Sequence, residues 1–156
     1  MYRTSAFAIA ALLALACSGK SPMAPSDGGG TPSGAQAGFA AMVNGEAWSP
    51  GEIDGANYEG AVFISAKDDA REILISIGTH GPGTYNVSSD DLVTVMVKEE
   101  NMLWVASDEL GSGSVTFNSL SASGASGTFR FVAEAPPPAQ ATEPRNVTNG
   151  VFNIVF

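Results

Sequence analysis

From residue 38 onward, apolar side chains recur at every second position. Ile73, Ile75 and Ile77 alternate with Leu74 and Ser76, and Val93, Val95 and Val97 with Thr94, Met96 and Lys98. Phe129, Phe131 and Ala133 alternate with Arg130 and Val132, and Phe152, Ile154 and Phe156 with Asn153 and Val155. Successive side chains on an extended chain point to opposite faces, so this period buries one face of a strand; a helix would need a repeat of about 3.6. The pattern predicts strands over 38–43, 61–66, 73–77, 84–88, 93–98, 102–107, 114–119, 129–133 and 152–156. Asn44-Gly45 and Asn149-Gly150 are the preferred pairs for two-residue hairpin loops. Asp68-Asp69, Gly81-Pro82-Gly83 and Gly111-Ser112-Gly113 mark further reversals, and at most one helical turn is expected, near 107–110. Short strands at this spacing predict an all-β fold, an antiparallel β-sandwich of about eight or nine strands, with a small closed β-barrel as the alternative. A charged fraction of 15%, with 18 Gly and 9 Pro, argues against a helical bundle, and 156 residues suit one domain with a tail. Residues 135–144 (APPPAQATEP) interrupt the rhythm and are expected to form a rigid surface loop, since three prolines cannot enter a sheet.

The amino-terminal region has a different character. Arg3 precedes an unbroken apolar run, residues 6–16 (AFAIAALLALA), which ends directly at Cys17. Such a run suits a secretory signal and falls short of the roughly 20 residues of a membrane-spanning helix. Leu13-Ala14-Leu15-Ala16-Cys17 resembles the lipobox of bacterial lipoproteins, with Ala14 where leucine is usual. The resemblance implies cleavage after Ala16, a thioether-linked diacylglycerol on Cys17 and acylation of the new amino terminus. One acyl chain anchors only marginally, whereas two or three hold a protein on a bilayer. In Gram-negative lipoproteins an Asp after the cysteine favours retention at the inner membrane; Ser18 stands there, so the outer membrane is the expected location. Residues 18–37 (SGKSPMAPSDGGGTPSGAQA) are dominated by Gly, Ser, Pro and Ala, and as a flexible coil would span about 25 Å. The expected organisation is a signal peptide at 1–16, a lipidated Cys17 with its tether at 17–37, and the β-sandwich at 38–156.

Three further stretches resemble a family of bacterial, Bacteroidota-type lipoproteins that carry an all-β domain of unknown function. Phe39-Ala40-Ala41-Met42-Val43-Asn44-Gly45-Glu46-Ala47-Trp48 is similar to its F-x-A-x-V-N-G-x-x-W opening, and Gly83-Thr84-Tyr85 to its central G-T-Y. Ser126-Gly127-Thr128-Phe129-Arg130-Phe131, followed by Val147-Thr148-Asn149-Gly150-Val151-Phe152, is similar to its closing S-G-T-F-x-F … V-T-N-G-x-F. The resemblance implies an all-β fold and a lipid anchor, and it brings no catalytic or binding residue. Each motif residue also has a structural use: turns for Asn-Gly, core area for Trp48 and the Phe pairs.

Residues able to carry chemistry are few. With one His and one Cys, no zinc site or Cys–His nucleophile is readable, and His80 beside a Gly-Pro-Gly turn reads as a surface residue. The acidic pairs Asp68-Asp69, Asp90-Asp91, Glu99-Glu100 and Asp108-Glu109 fall at expected turns, where solvated charge is the ordinary outcome. Neighbouring strand residues face apart, so no pair alone is a glycosidase dyad, and no Asp-x-Asp-x-Asp-Gly loop is present for calcium. No catalytic residue, metal ligand or cofactor is therefore assigned, and Cys17 is the one assigned site, for lipidation. A net charge of −9 disfavours nucleic acid as a partner. Trp48, Tyr58, Tyr85 and Trp104 would stack on sugar rings if they shared an exposed face, but their apolar neighbours favour the core. The expected function is a non-enzymatic, outer-membrane-anchored structural or protein-interaction module, facing the periplasm or the surface, whose expected partners are the membrane, through its lipid, and an unidentified protein or glycan. A carbohydrate-binding module is the second reading and a hydrolase the third. Nothing in the pattern sets an oligomeric state.

Overall fold

A computed structural model describes residues 38–78, 81–87, 92–138 and 143–156. Signal peptide, Cys17, tether, His80 and Asp90-Asp91 lie outside the described residues, as do residues 139–142 of the proline-rich segment. Eleven strands are described: β1 (Gly38–Val43), β2 (Glu46–Trp48), β3 (Glu52–Tyr58), β4 (Ala61–Lys67), β5 (Arg71–Gly78), β6 (Gly83–Asn86), β7 (Val93–Glu99), β8 (Met102–Ala106), β9 (Ser112–Ser121), β10 (Gly124–Ala133) and β11 (Arg145–Val155). They form two antiparallel sheets, one of six strands in the order β2-β1-β11-β10-β9-β6 and one of five in the order β3-β4-β5-β7-β8. The two sheets make a sandwich and do not close into a barrel. At one corner the chain leaving β10 crosses to the other sheet, where Glu134 and Val105 of β8 exchange backbone hydrogen bonds of 2.8 and 2.9 Å.

The inward positions of the two sheets differ in kind. The five-stranded sheet contributes β-branched residues, Val62, Ile64, Ile73, Ile75, Ile77, Val93, Val95 and Val97, all buried. Each is worth roughly 1.5–3 kcal/mol of transfer free energy when fully buried. The six-stranded sheet contributes aromatic rings that run across its strands. Trp48 meets Phe39 at 5.8 Å, Phe39 meets Phe129 at 4.8 Å, Phe129 meets Phe152 at 6.4 Å, Phe152 meets Phe117 at 5.4 Å and Phe117 meets Tyr85 at 5.9 Å. Tilted and edge-on geometries are those the ring quadrupole favours.

Two glycines make room for this row. Gly127 lies opposite Phe152 and Gly150 opposite Phe129 in the β10–β11 register, and each ring covers the glycine facing it. The same pairing explains part of the closing motif of the sequence, whose Gly127, Phe129, Gly150 and Phe152 sit at these four positions.

Two expectations are corrected. Asn149-Gly150 does not turn a hairpin: it lies inside β11, where Asn149 at φ 52° forms a bulge. Phe129 pairs with Gly150 but Phe131 with Val147, so β11 carries one extra residue there against β10, and likewise one against β1. The left-handed preference of Asn is used, but to bend a long strand. Residues 107–110 form a tight reversal closed by Ser107 N–H to Leu110 O (2.6 Å) and Leu110 N–H to Ser107 O (3.3 Å), not a helical turn. Asn44-Gly45 behaves as expected, with φ 50° and 85° joining β1 to β2.

Strands β2 and β3 are additional to those expected. Strand β3 (EIDGANY) lacks the alternation because its inward positions are Ile53, Gly55 and Asn57, and any side chain at Gly55 would strike Ile154. It is held by its full register with β4, closed by a two-residue loop in which Glu59 and Gly60 have φ 48° and 88°. Asn suits that first position far better than Glu. Glu59→Asn is expected to stabilise the protein by about 0.5 kcal/mol, read as a higher urea midpoint at unchanged m-value.

Candidate functional site

Two polar regions stand out, one knitted shut and one open. The closed one lies where the β4–β5 turn meets the ends of β7 and β11. Asp68 accepts the Trp48 indole N–H at 2.6 Å and the backbone N–H groups of Ala70 and Arg71 at 2.9 and 2.8 Å. Arg71 donates to Glu99 Oε1 at 2.6 Å, and Arg145 donates to Oε2 at 2.9 Å through Nε, its terminal nitrogen at 2.8 Å. The guanidinium of Arg145 lies 3.8 Å from the Trp104 ring centroid, that of Arg71 5.6 Å from Trp48. Trp104 in turn donates to Glu143 O at 2.9 Å.

Burial pushes the Glu99 carboxyl up, but the hydrogen bonds from Arg145 and Arg71, with their charges, outweigh it and leave its pKa below the ordinary value. Asp68 is likewise lowered: against burial act the Trp48 indole, the two backbone N–H donors and the charge of Arg71. Both carboxylates are engaged within the protein, and through Arg145 and Arg71 on Glu99 the region ties the two sheets together.

This corrects the expectation for Glu99, which ends β7 with its side chain only 18% exposed. Asp68, Asp69 and Glu100 are exposed at turns as expected, and Asp68 also organises its turn. A depression of about 180 Å³ beside this region gathers Asp69, Glu72 and Glu100 with Lys67, Arg71 and Lys98, acids interleaved with bases. Among the described residues no group of three His, Cys, Asp or Glu could hold a metal ion.

The expected aromatic residues do not form a platform. Trp48 and Trp104 are buried, Tyr85 is half-buried with its hydroxyl donating to Gly81 O at 2.7 Å, and Tyr58 alone is well exposed, at 69%. A stacking surface for sugar rings is therefore missing from these four residues.

The open region is the outer face of the six-stranded sheet. Across it, outward positions line up in register: Thr84, Thr116, Thr128 and Val151 in one row, Asn86, Ser114 and Arg130 in the next, and Ser112, Val132 and Asn146 in a third. Two adjoining troughs, of about 340 and 570 Å³, share Ser114 and Arg130. A third depression of about 400 Å³ continues from Asn146 and Thr148 to the Asn44-Gly45 turn and Glu143. Thr84 and Thr116 hydroxyls lie 2.9 Å apart, and each keeps further hydrogen-bonding capacity.

Arg130 projects from a central strand and makes no ion pair or hydrogen bond with a described residue. Among the described residues, neither of the two troughs it shares is lined by a carboxylate, so in a chain of 16 acidic and seven basic residues a positive charge sits here among neutral hydroxyls and carboxamides.

Sequence reasoning placed no function on this face. The alternation Phe129-Arg130-Phe131 does show Arg130 pointing away from the core, but only the strand order β6-β9-β10-β11 brings its polar neighbours together. No curated protein and no solved structure matches the chain. Residues 35–155 match a family described as a domain of unknown function, DUF6252, in keeping with the expected domain of unassigned role, and the chain belongs to that family.

Proposed function

We propose that this protein is a lipid-anchored, extracytoplasmic module of the outer membrane that acts by binding, through the outer face of its six-stranded sheet. The anchor rests on Cys17 directly after an apolar run of signal length, with Ser18 next and a Gly/Ser/Pro-rich spacer behind it. The binding role rests on one observation: the open troughs that share Arg130, which has no partner among the described residues, while the carboxylates of Glu99 and Asp68 are occupied within the protein.

Cys17→Ala is expected to move the protein from the membrane pellet to the soluble fraction and to abolish acylation, read by mass spectrometry of the mature amino terminus. A variant that stays in the pellet with unchanged mass would overturn the anchor. For the binding face, a photo-crosslinking residue at Thr128 is expected to capture a cellular molecule in living cells, while one at Phe63, on the outer face of the other sheet, is not. Capture from Phe63 alone would place the contact on the wrong sheet.

A further inference from the structure

We infer that the troughs around Arg130 bind an acidic sugar, a polyhydroxylated molecule carrying a carboxylate, with the guanidinium taking the carboxylate and the surrounding rows taking the hydroxyls. This names the ligand class for the binding role proposed above and rests on it. The other described arginines and Lys67 spend their charge inside the protein: Lys67 on Glu52 at 3.0 Å, Arg71 and Arg145 on Glu99. Arg130 pairs with no described residue, and the described lining of its troughs holds no acid to compete for it. A guanidinium in that state offers a planar fork matched to a carboxylate.

The rest of the lining selects what the carboxylate is attached to. Ser114, Thr116, Thr128 and Thr148 present hydroxyls, and Asn146 and Asn149 carboxamides, groups that donate and accept as sugar hydroxyls do. Apolar lining is also present, from Val132, Val147 and Val151 and from Phe129 and Phe131, and it suits the carbon-bound faces of sugar rings. A peptide cannot add as a strand here, because β9, β10 and β11 are each paired on both sides. The two linked troughs fall in the range of small-molecule sites, about 300–1,000 Å³, and being open and continuous they suit a short chain of rings better than an isolated anion.

The test is calorimetric titration of the purified full chain in detergent micelles with tetragalacturonate, an alginate tetramer, free galacturonate, and methyl-esterified tetragalacturonate as the uncharged counterpart. At least one acidic tetramer is expected to bind, about tenfold tighter than the ester, and more weakly as salt rises. Tighter binding of a tetramer than of free galacturonate identifies a chain as the ligand; equal binding identifies a single acidic unit. Arg130→Gln is expected to weaken binding about tenfold with an unchanged melting temperature, since Arg130 has no described partner to lose. Thr128→Asp, which adds a carboxylate to the trough, is expected to weaken it as well, and Phe63→Asp on the other sheet is expected to leave it intact. Absence of binding by every acidic sugar overturns the inference, as does an ester that binds equally or an Arg130→Gln variant that binds as the parent does. Equal binding of a glutamate tetramer overturns the sugar assignment. Should these fail while Thr128 still captures a molecule in cells, the ligand class is wrong and the binding face stands.

Discussion

Gly127→Ala is expected to cost about 3 kcal/mol or more, lowering the melting temperature by roughly 10 °C or preventing folding. A methyl at this position would lie 2.6 Å from Phe152 Cζ and 3.0 Å from Cε1, and would also strike the backbone oxygen of Thr116. The ring alone could be displaced, but the oxygen belongs to β9, whose pairing with β10 fixes it. Gly150→Ala puts the methyl 2.5–2.6 Å from three atoms of Phe129, whose ring is held by Phe39 at 4.8 Å and Phe131 at 5.8 Å. Because the three atoms nearest that methyl all belong to the Phe129 ring, Phe129→Leu added to Gly150→Ala is expected to recover part of the loss, a rescue unavailable at Gly127, where a backbone oxygen is nearest. Gly51→Ala meets nothing within 4 Å and is expected to be neutral within about 0.5 kcal/mol. Thermal melts of the four variants check the set, and a Gly127→Ala protein as stable as Gly51→Ala would refute the packing of rings on facing glycines.

That pairing also shows what the sequence alone can and cannot carry. Period-two alternation depends on local geometry, so the strands with Ile, Val or Phe on one face were legible together with the sandwich class. Strand β3 was not, because a strand that faces Ile154 with a glycine has no apolar signal of its own and exists through its partner β4. The Asn149-Gly150 pair encodes a positive φ, which a hairpin and a bulge satisfy equally; the choice between them is made by the long register of β11 with β10 and β1. Arg130 was visible as outward-facing, but its troughs are assembled from residues as distant in sequence as Thr84 and Val151, and no local pattern says that β6 lies beside β9. Glu99 was read as a turn charge for the same reason: Arg71 and Arg145, 28 and 46 residues away, are brought to it only by tertiary pairing.

Glu99→Gln is expected to remove about 2–3 kcal/mol and to flatten the acid limb of the stability curve. The carboxylate separates two guanidinium groups whose side chains are 20% and 19% exposed; without its charge they face one another with one amide oxygen between them. Breaking a buried pair costs about 3–5 kcal/mol, and the residual exposure of this one lets water take part of the charge, hence the lower figure. The pH dependence follows from the direction of the shift. Glu99 has a folded pKa below its ordinary 4.5, so the unfolded chain binds the proton more tightly; the stabilisation is complete above about pH 4.5 and is lost as pH falls through the lower folded value. Asp68 acts in the same sense from its ordinary 3.8 downward, so the variant keeps a smaller acid slope that begins at lower pH. Both tryptophans of the chain touch this network, Trp48 through Asp68 and Trp104 through Arg145, so intrinsic fluorescence in urea at several pH values reports on it directly. Parent and Glu99→Gln curves are expected to run about 2–3 kcal/mol apart near pH 6 and to converge toward pH 3. Parallel curves across that range would mean that the charge of Glu99 contributes nothing to folding, and that Arg71 and Arg145 are held in place by their tryptophans alone.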